Sequence, residues 1–115
     1  MIVGEEESVM AGEQFNERIL GRLSSLGDIT SRAMFGGHGL YWRGVIFGIL
    51  FRDRLYLKVD NRSKADFESR GMGPFRPNER QILKSYCEVP PEVLADPEAL
   101  LSWAGAAIRA GQGTT

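Results

Sequence analysis

Apolar positions along the chain change their period several times, and the changes divide it into elements. From about Gly12, Phe15, Ile19, Leu23 and Leu26 recur at i, i+4, i+8 and i+11, which sets them in one helical stripe. Gly27 follows where a left-handed C-cap is wanted, so the spacing predicts a first helix over 12–26. Upstream, residues 1–11 hold few apolar side chains and a run of glutamates, and they read as a flexible acidic tail.

The period then shortens to that of strands. Ile29 to Phe35 leads through Gly36-Gly37-His38-Gly39 into Leu40-Tyr41-Trp42, and Arg43-Gly44 makes a tight turn. Val45 to Phe51 is almost wholly apolar and is broken by Arg52-Asp53. Arg54 to Val59 alternates, with Leu55, Leu57 and Val59 on one face and Tyr56 and Lys58 on the other. Two-residue connections between such runs predict an antiparallel meander.

Asp60 can cap a second helix over 61–70, closed by Gly71. Gly71 to Pro77 must be irregular or an edge strand, because a proline lacks the ladder's donor. Gln81 to Val89 reads as a fifth strand, and Pro90-Pro91 ends it. Asp96-Pro97-Glu98 then opens a helix, with a capping residue, proline at the first helical position and a carboxylate in the first turn. Leu100, Leu101, Trp103, Ala104, Ala107 and Ile108 follow at helical spacing, and residues 111–115 read as a disordered tail. The order α-β-β-β-α-β-β-α, with helices segregated from an antiparallel sheet, predicts an α+β sandwich in a single domain over 12–110.

Composition adds little to this picture, whereas charge adds more. At 43% hydrophobic and 25% charged the chain is an ordinary globular one, and its single cysteine, Cys87, has no internal disulfide partner. No run is apolar and long enough to cross a bilayer as a helix, and no signal-like segment opens the chain, so a cytoplasmic protein without membrane contact is expected. The net charge of −1 conceals a basic middle: residues 1–28 balance at −4, residues 29–84 at +6 and residues 85–115 at −3. Either the acidic ends neutralise the middle in the folded state, or the middle offers a positive face to an anionic partner.

Candidate chemistry is sparse. The string Met34-Phe-Gly-Gly-His-Gly39 has the glycines of a phosphate loop, but a strand follows it where a helix N-terminus is required. A bulge or kink is the expected use of those glycines. His38 is the sole histidine, no metal-ligand spacing surrounds it, and no cofactor is expected. Cys87 is expected to be a buried structural thiol. Arg32, Arg43, Arg52, Arg54, Lys58, Arg62 and Lys64 lie among Tyr41, Trp42 and Tyr56, an interleaving that suits single-stranded nucleic acid. A pI near 5.8 weighs against that use.

Several of these strings together carry a resemblance. Arg32-Ala-Met-Phe-Gly-Gly-His-Gly-Leu-Tyr, Phe47, and Arg54-Leu-Tyr-Leu-Lys-Val-Asp60 resemble the TfoX N-terminal domain family. So do Gly71-Met-Gly-Pro-Phe75, Ser85-Tyr-Cys-Glu-Val-Pro90 and Asp96-Pro-Glu-Ala-Leu-Leu-Ser-Trp103, in that order over residues 13–110. The resemblance implies an α-β(3)-α-β(2)-α fold like that of secretion-chaperone domains. It also implies kinship with the TfoX/Sxy regulators of bacterial competence, which are transcriptional coactivators and not enzymes. Those regulators carry a second, helical C-terminal domain, and the present sequence corresponds to the first alone. The family offers no catalytic residues to carry over.

The expected function is therefore non-enzymatic regulation through a protein partner. Direct nucleic-acid binding by residues 29–84 is the second expectation. The third is a small anionic ligand or enzyme site near Gly36–Gly39, with Arg32 and His38 holding an anion. Arg32, Gly36, Gly37, His38, Arg54 and Lys58 are the candidate contact residues for anion or partner, and the Gln81–Val89 strand, if at an edge, offers a second copy a place to pair.

Overall fold

The computed structural model describes residues 3–34 and 36–112, with side chains from Glu13 onward. Six strands form one antiparallel sheet: β1 (Ile29–Met34), β2 (Gly37–Trp42), β3 (Val45–Phe51), β4 (Arg54–Lys58), β5 (Pro74–Asn78) and β6 (Gln81–Glu88). Their order across the sheet is β1-β2-β3-β4-β6-β5. Four helices, α1 (Val3–Leu23), α2 (Lys64–Glu68), α3 (Pro91–Ala95) and α4 (Pro97–Gln112), complete an α+β architecture.

The meander has one strand more than the sequence pattern predicted. The glycine cluster is a hairpin and not a kink: β1 ends at Met34, Gly36 takes φ +80° in the turn, and β2 starts at Gly37. Gly37, His38 and Gly39 carry no apolar alternation, so the first half of β2 was invisible to periodicity. The next two turns, Arg43-Gly44 and Arg52-Asp53, hold positive φ at both central positions, the mirror-image turns that suit the strands' right-handed twist. Between β2 and β3 the register shifts: Tyr41 opposes Ile46 and Leu40 opposes Gly48, which leaves Phe47 as the bulged residue. Its side chain is fully buried.

Helix ends agree with the capping logic more often than helix lengths do. Asp96 Oδ1 accepts the N–H groups of Glu98 and Ala99 at 3.1 and 3.3 Å and so caps α4. Asp60 Oδ1 accepts from Arg62 and Ser63 at 2.9 Å each, ahead of α2. Those backbone donors, led by Ser63, hold the Asp60 carboxyl below the usual carboxylate range. Gly71, at φ +75°, closes the turn after α2 as its N–H bonds Glu68 O while Met72 N–H bonds Phe67 O.

Several boundaries depart from expectation. α2 covers only Lys64–Glu68 of the expected 61–70, with Ser63 and not Asp60 in the N-cap position, and α3 (Pro91–Ala95) was not predicted. α1 begins at Val3, so residues 3–11, expected to be tail, are helical; Glu, Ser, Met and Ala in that run permit it. It stops at Leu23, and Ser24–Leu26 tighten into a 3₁₀ turn before Gly27. α4 runs through Gly111 to Gln112, where a tail was expected, while residues 113–115 lie outside the described residues. Among the described residues no helix is long and apolar enough to cross a membrane.

The helices share one face of the sheet. Ile19 and Leu23 of α1, Phe67 of α2, Val93 of α3 and Leu100, Ala104, Ala107 and Ile108 of α4 pack on Leu40, Phe47, Leu50, Leu55 and Leu57. Each such aliphatic or aromatic side chain, fully removed from water, contributes about 1.5–3 kcal/mol. A second, smaller cluster on the opposite face is made by strands alone: Ile49, Phe51, Tyr56, Phe75 and Tyr86. Phe75 of β5 meets Phe51 of β3 with ring centroids 5.2 Å apart. In a flat sheet those strands would stand roughly 14 Å apart, three spacings of the ladder. The sheet therefore curls, and the face without helices is its concave side.

Candidate contact face

Alternation along each strand decides which candidate residues share a face. Arg32 opposes Gly39 and Ala33 opposes His38 in the β1–β2 register. His38 turns toward the helices, where Asn16 Nδ2 of α1 lies 3.3 Å from its Nδ1. Arg32 turns the other way, its guanidinium 5.5 Å from the Tyr41 ring centroid. Arg32 and His38 thus stand on opposite faces, and one anion cannot touch both. At Gly37 and Gly39 the glycines allow close packing. A methyl on Gly37 would lie 2.3 Å from Leu50 O, and one on Gly39 would lie 2.6 Å from Met34 Sδ. Gly36 is exposed in the turn.

The concave face instead gathers cations over rings. Besides Arg32 on Tyr41, Arg52 lies over Phe51 at 5.0 Å and the Lys58 ammonium over Tyr86 at 5.2 Å. Lys58 and Tyr86 are direct cross-strand partners, so the ladder itself sets this contact. Arg54, at the start of β4, is committed differently: its Nη1 bonds both carboxylate oxygens of Glu88 at 2.9 and 3.0 Å. Hydrogen bonding to Glu88 raises its pKa further and keeps it charged. Of the candidate residues, then, Arg32 and Lys58 share this face with Arg54, which is already paired.

Burial shapes the acidities on this side. Tyr56 and Tyr86 are both pushed above the ordinary phenol value, mainly by desolvation, with Glu88 adding to Tyr56 and Tyr41 adding to Tyr86. Sequence reading missed Tyr86 and Phe51 as ring partners. The signal was present in the alternation Lys84, Tyr86, Glu88, but it became legible only when β6 was placed beside β4.

On the helix side the remaining groups are structural. Cys87 is buried opposite Leu57, and desolvation raises its thiol pKa, as suits an inert side chain. Trp42 Nε1 bonds Leu26 O at 3.4 Å while Arg43 covers its ring at 4.5 Å. A small cavity of about 130 Å³ between α2 and α4 mixes Lys58, Asp66 and Arg109 beside Trp103. Among the described residues no three His, Cys, Asp or Glu side chains are grouped as metal ligands would be.

A curled antiparallel sheet, with helices on its convex side and cation-capped rings on its concave side, defines an α+β domain. The chain belongs to the TfoX N-terminal domain family, whose model matches residues 21–111, from the end of α1 almost to the end of α4. Membership places it at family level among domains associated with regulation and competence. No curated protein matches the chain in its own right.

Proposed function

We propose that this chain is a non-enzymatic regulatory domain that acts by contact with a protein partner through the concave face of its sheet. The observation that carries the reading is the set of cations on that face, Arg32, Arg52 and Lys58, each held over a ring. A cation over a ring is positioned before any partner arrives, so less side-chain entropy is lost on contact. Aromatic and arginine side chains are also those most enriched at the centres of protein interfaces. Family membership supports a regulatory role without naming the partner.

The test compares wild-type protein with the double variant Arg32→Glu, Lys58→Glu as bait in host lysate. A partner identified with the wild type should lose at least tenfold in recovery with the variant, while circular dichroism stays unchanged. Equal recovery by both baits would remove the concave face from the function.

A second reading has a specific observation of its own. Cations beside rings on an open sheet also suit a single nucleic-acid strand, phosphates on the cations and bases on the rings. Tyr56 and Tyr86 are buried, however, and only Tyr41 of the three tyrosines offers a half-exposed ring for stacking. Direct binding predicts an affinity that falls steeply with salt as counterions are recaptured. A flat fluorescence-anisotropy titration with both single- and double-stranded DNA at low salt would dispose of it.

A further inference from the structure

The two outer strands of the sheet are built differently. β5 contains Pro74 and Pro77, and its pairing with β6 slips twice, devices that blunt an edge against further pairing. The expected edge at Gln81–Val89 is interior, since β6 lies between β4 and β5. β1 has none of these devices beyond the one charge of Arg32. It runs six residues in unbroken register with β2, contains no proline and a single charge, and exposes every residue from Thr30 to Ala33.

Its outward backbone groups can be named. Arg43 N–H donates to Asp28 O at 3.2 Å, which makes 28 and 43 a hydrogen-bonded pair of the β1–β2 ladder. Such pairs alternate along an antiparallel ladder. Thr30, Arg32 and Met34 therefore spend their N–H and C=O groups on β2, and Ile29, Ser31 and Ala33 point theirs away from it. Among the described residues no strand lies beyond β1.

We infer that β1 pairs antiparallel with β1 of a second copy, centred on Ser31, so that one sheet runs through both chains across a two-fold axis. The register follows from parity and charge. Outward-pointing residues must meet outward-pointing residues, which sets the centre on a residue and not between two, and centres at 30, 31 and 32 keep most of the strand paired. A centre at Arg32 sets that guanidinium directly opposite its own copy, a destabilising like-charge pair. A centre at Thr30 leaves Ala33 beyond the partner strand. A centre at Ser31 pairs residues 29–33 with their copies, Ile29 opposite Ala33, Arg32 opposite Thr30 and Ser31 opposite itself, and leaves only Met34 beyond the partner strand. The strand is thus self-complementary, as a two-fold interface requires. On the helix side an open cleft of about 300 Å³, lined by Leu20, Ser24 and Ile29, flanks β1. The partner's Ala33, beside Ile29, would cover it. This pairing leaves the concave face free and does not depend on what that face binds.

Sedimentation equilibrium from micromolar to millimolar concentration tests the inference on the full chain. The wild type should approach twice the 12.8 kDa chain mass. Ser31→Lys and Ser31→Glu, each an exchange of an exposed side chain, should each lose the dimer while keeping the wild-type circular dichroism. Mixing the two variants should restore a dimer of doubled mass, because opposite charges then face each other at the centre. A wild type that stays at single-chain mass, as expected if the edge serves an extended segment of another protein, overturns the inference. So does a Ser31→Lys variant that dimerises as the wild type does, or a mixture that remains monomeric.

Discussion

Gly37 is held to glycine by contact and not by conformation. Its missing methyl would overlap Leu50 O, a backbone atom that cannot swing aside. Gly37→Ala should therefore cost about 3 kcal/mol, the upper end of overpacking penalties, and chemical denaturation would show it as a lowered midpoint. The tyrosines make a second residue-scale prediction. Tyr56 and Tyr86 have folded-state pKa values above their unfolded ones, chiefly through burial. Their contribution to stability is fully present below the unfolded phenol value of about 10 and is lost as pH rises through the raised folded values. Absorbance titration at 295 nm should find both ionising late, together with loss of the near-ultraviolet dichroism. Two ordinary phenol titrations ahead of unfolding would contradict it. None of this was legible in the sequence. Gly37 looked like part of a loop because its neighbours in space, Leu50 and Phe51, are contributed by another strand.

At the scale of elements, legibility tracked how local the cause was. The start of α4 was readable because Asp96, Pro97 and Glu98 carry the cap, the preset φ and the charge within three residues. Asp96→Ala should cost about 1 kcal/mol by leaving the Glu98 and Ala99 N–H groups without that acceptor, measurable as a lower melting temperature. Asp96→Asn, which keeps the acceptor, should recover most of the loss. Leu40 to Trp42 was read correctly as strand, but the glycine cluster before it was read as a bulge or kink, and the division into two strands was missed. A hairpin between Met34 and Gly37 depends on Gly36 at positive φ and on pairing along the whole of β2, and neither leaves a periodic trace. The opposed directions of Arg32 and His38 are the same lesson. Their separation of six is even and would set both on one face of a single strand, but a reversal intervenes, so only the register reveals that they diverge.

For the whole molecule, the three-part charge pattern acquires a physical use. Each ion pair found among the described residues joins the basic middle to an acidic flank: Arg43 with Asp28, Arg54 with Glu88 and Arg70 with Glu92. These pairs are solvent-exposed and stabilise by no more than about 1 kcal/mol each. Raising sodium chloride from low to moderate concentration should therefore lower the unfolding free energy by roughly 1–2 kcal/mol at most, since screening acts on exposed charges. A larger loss would mean that the unpaired cations of the concave face are stabilised by charges not accounted for by these pairs.

The way α1 and α4 share one core also sets a timetable. Ile19 and Leu23 arrive early in synthesis, whereas Leu100, Ala104, Ala107 and Ile108, which close over the same strands, arrive last. At roughly 10 residues per second, within the usual range of translation, close to eight seconds separate them. During that interval Leu40, Phe47, Leu55 and Leu57 have been made and have no α4 to cover them. Until α4 emerges from the ribosome, the nascent chain holds that apolar sheet face open to water.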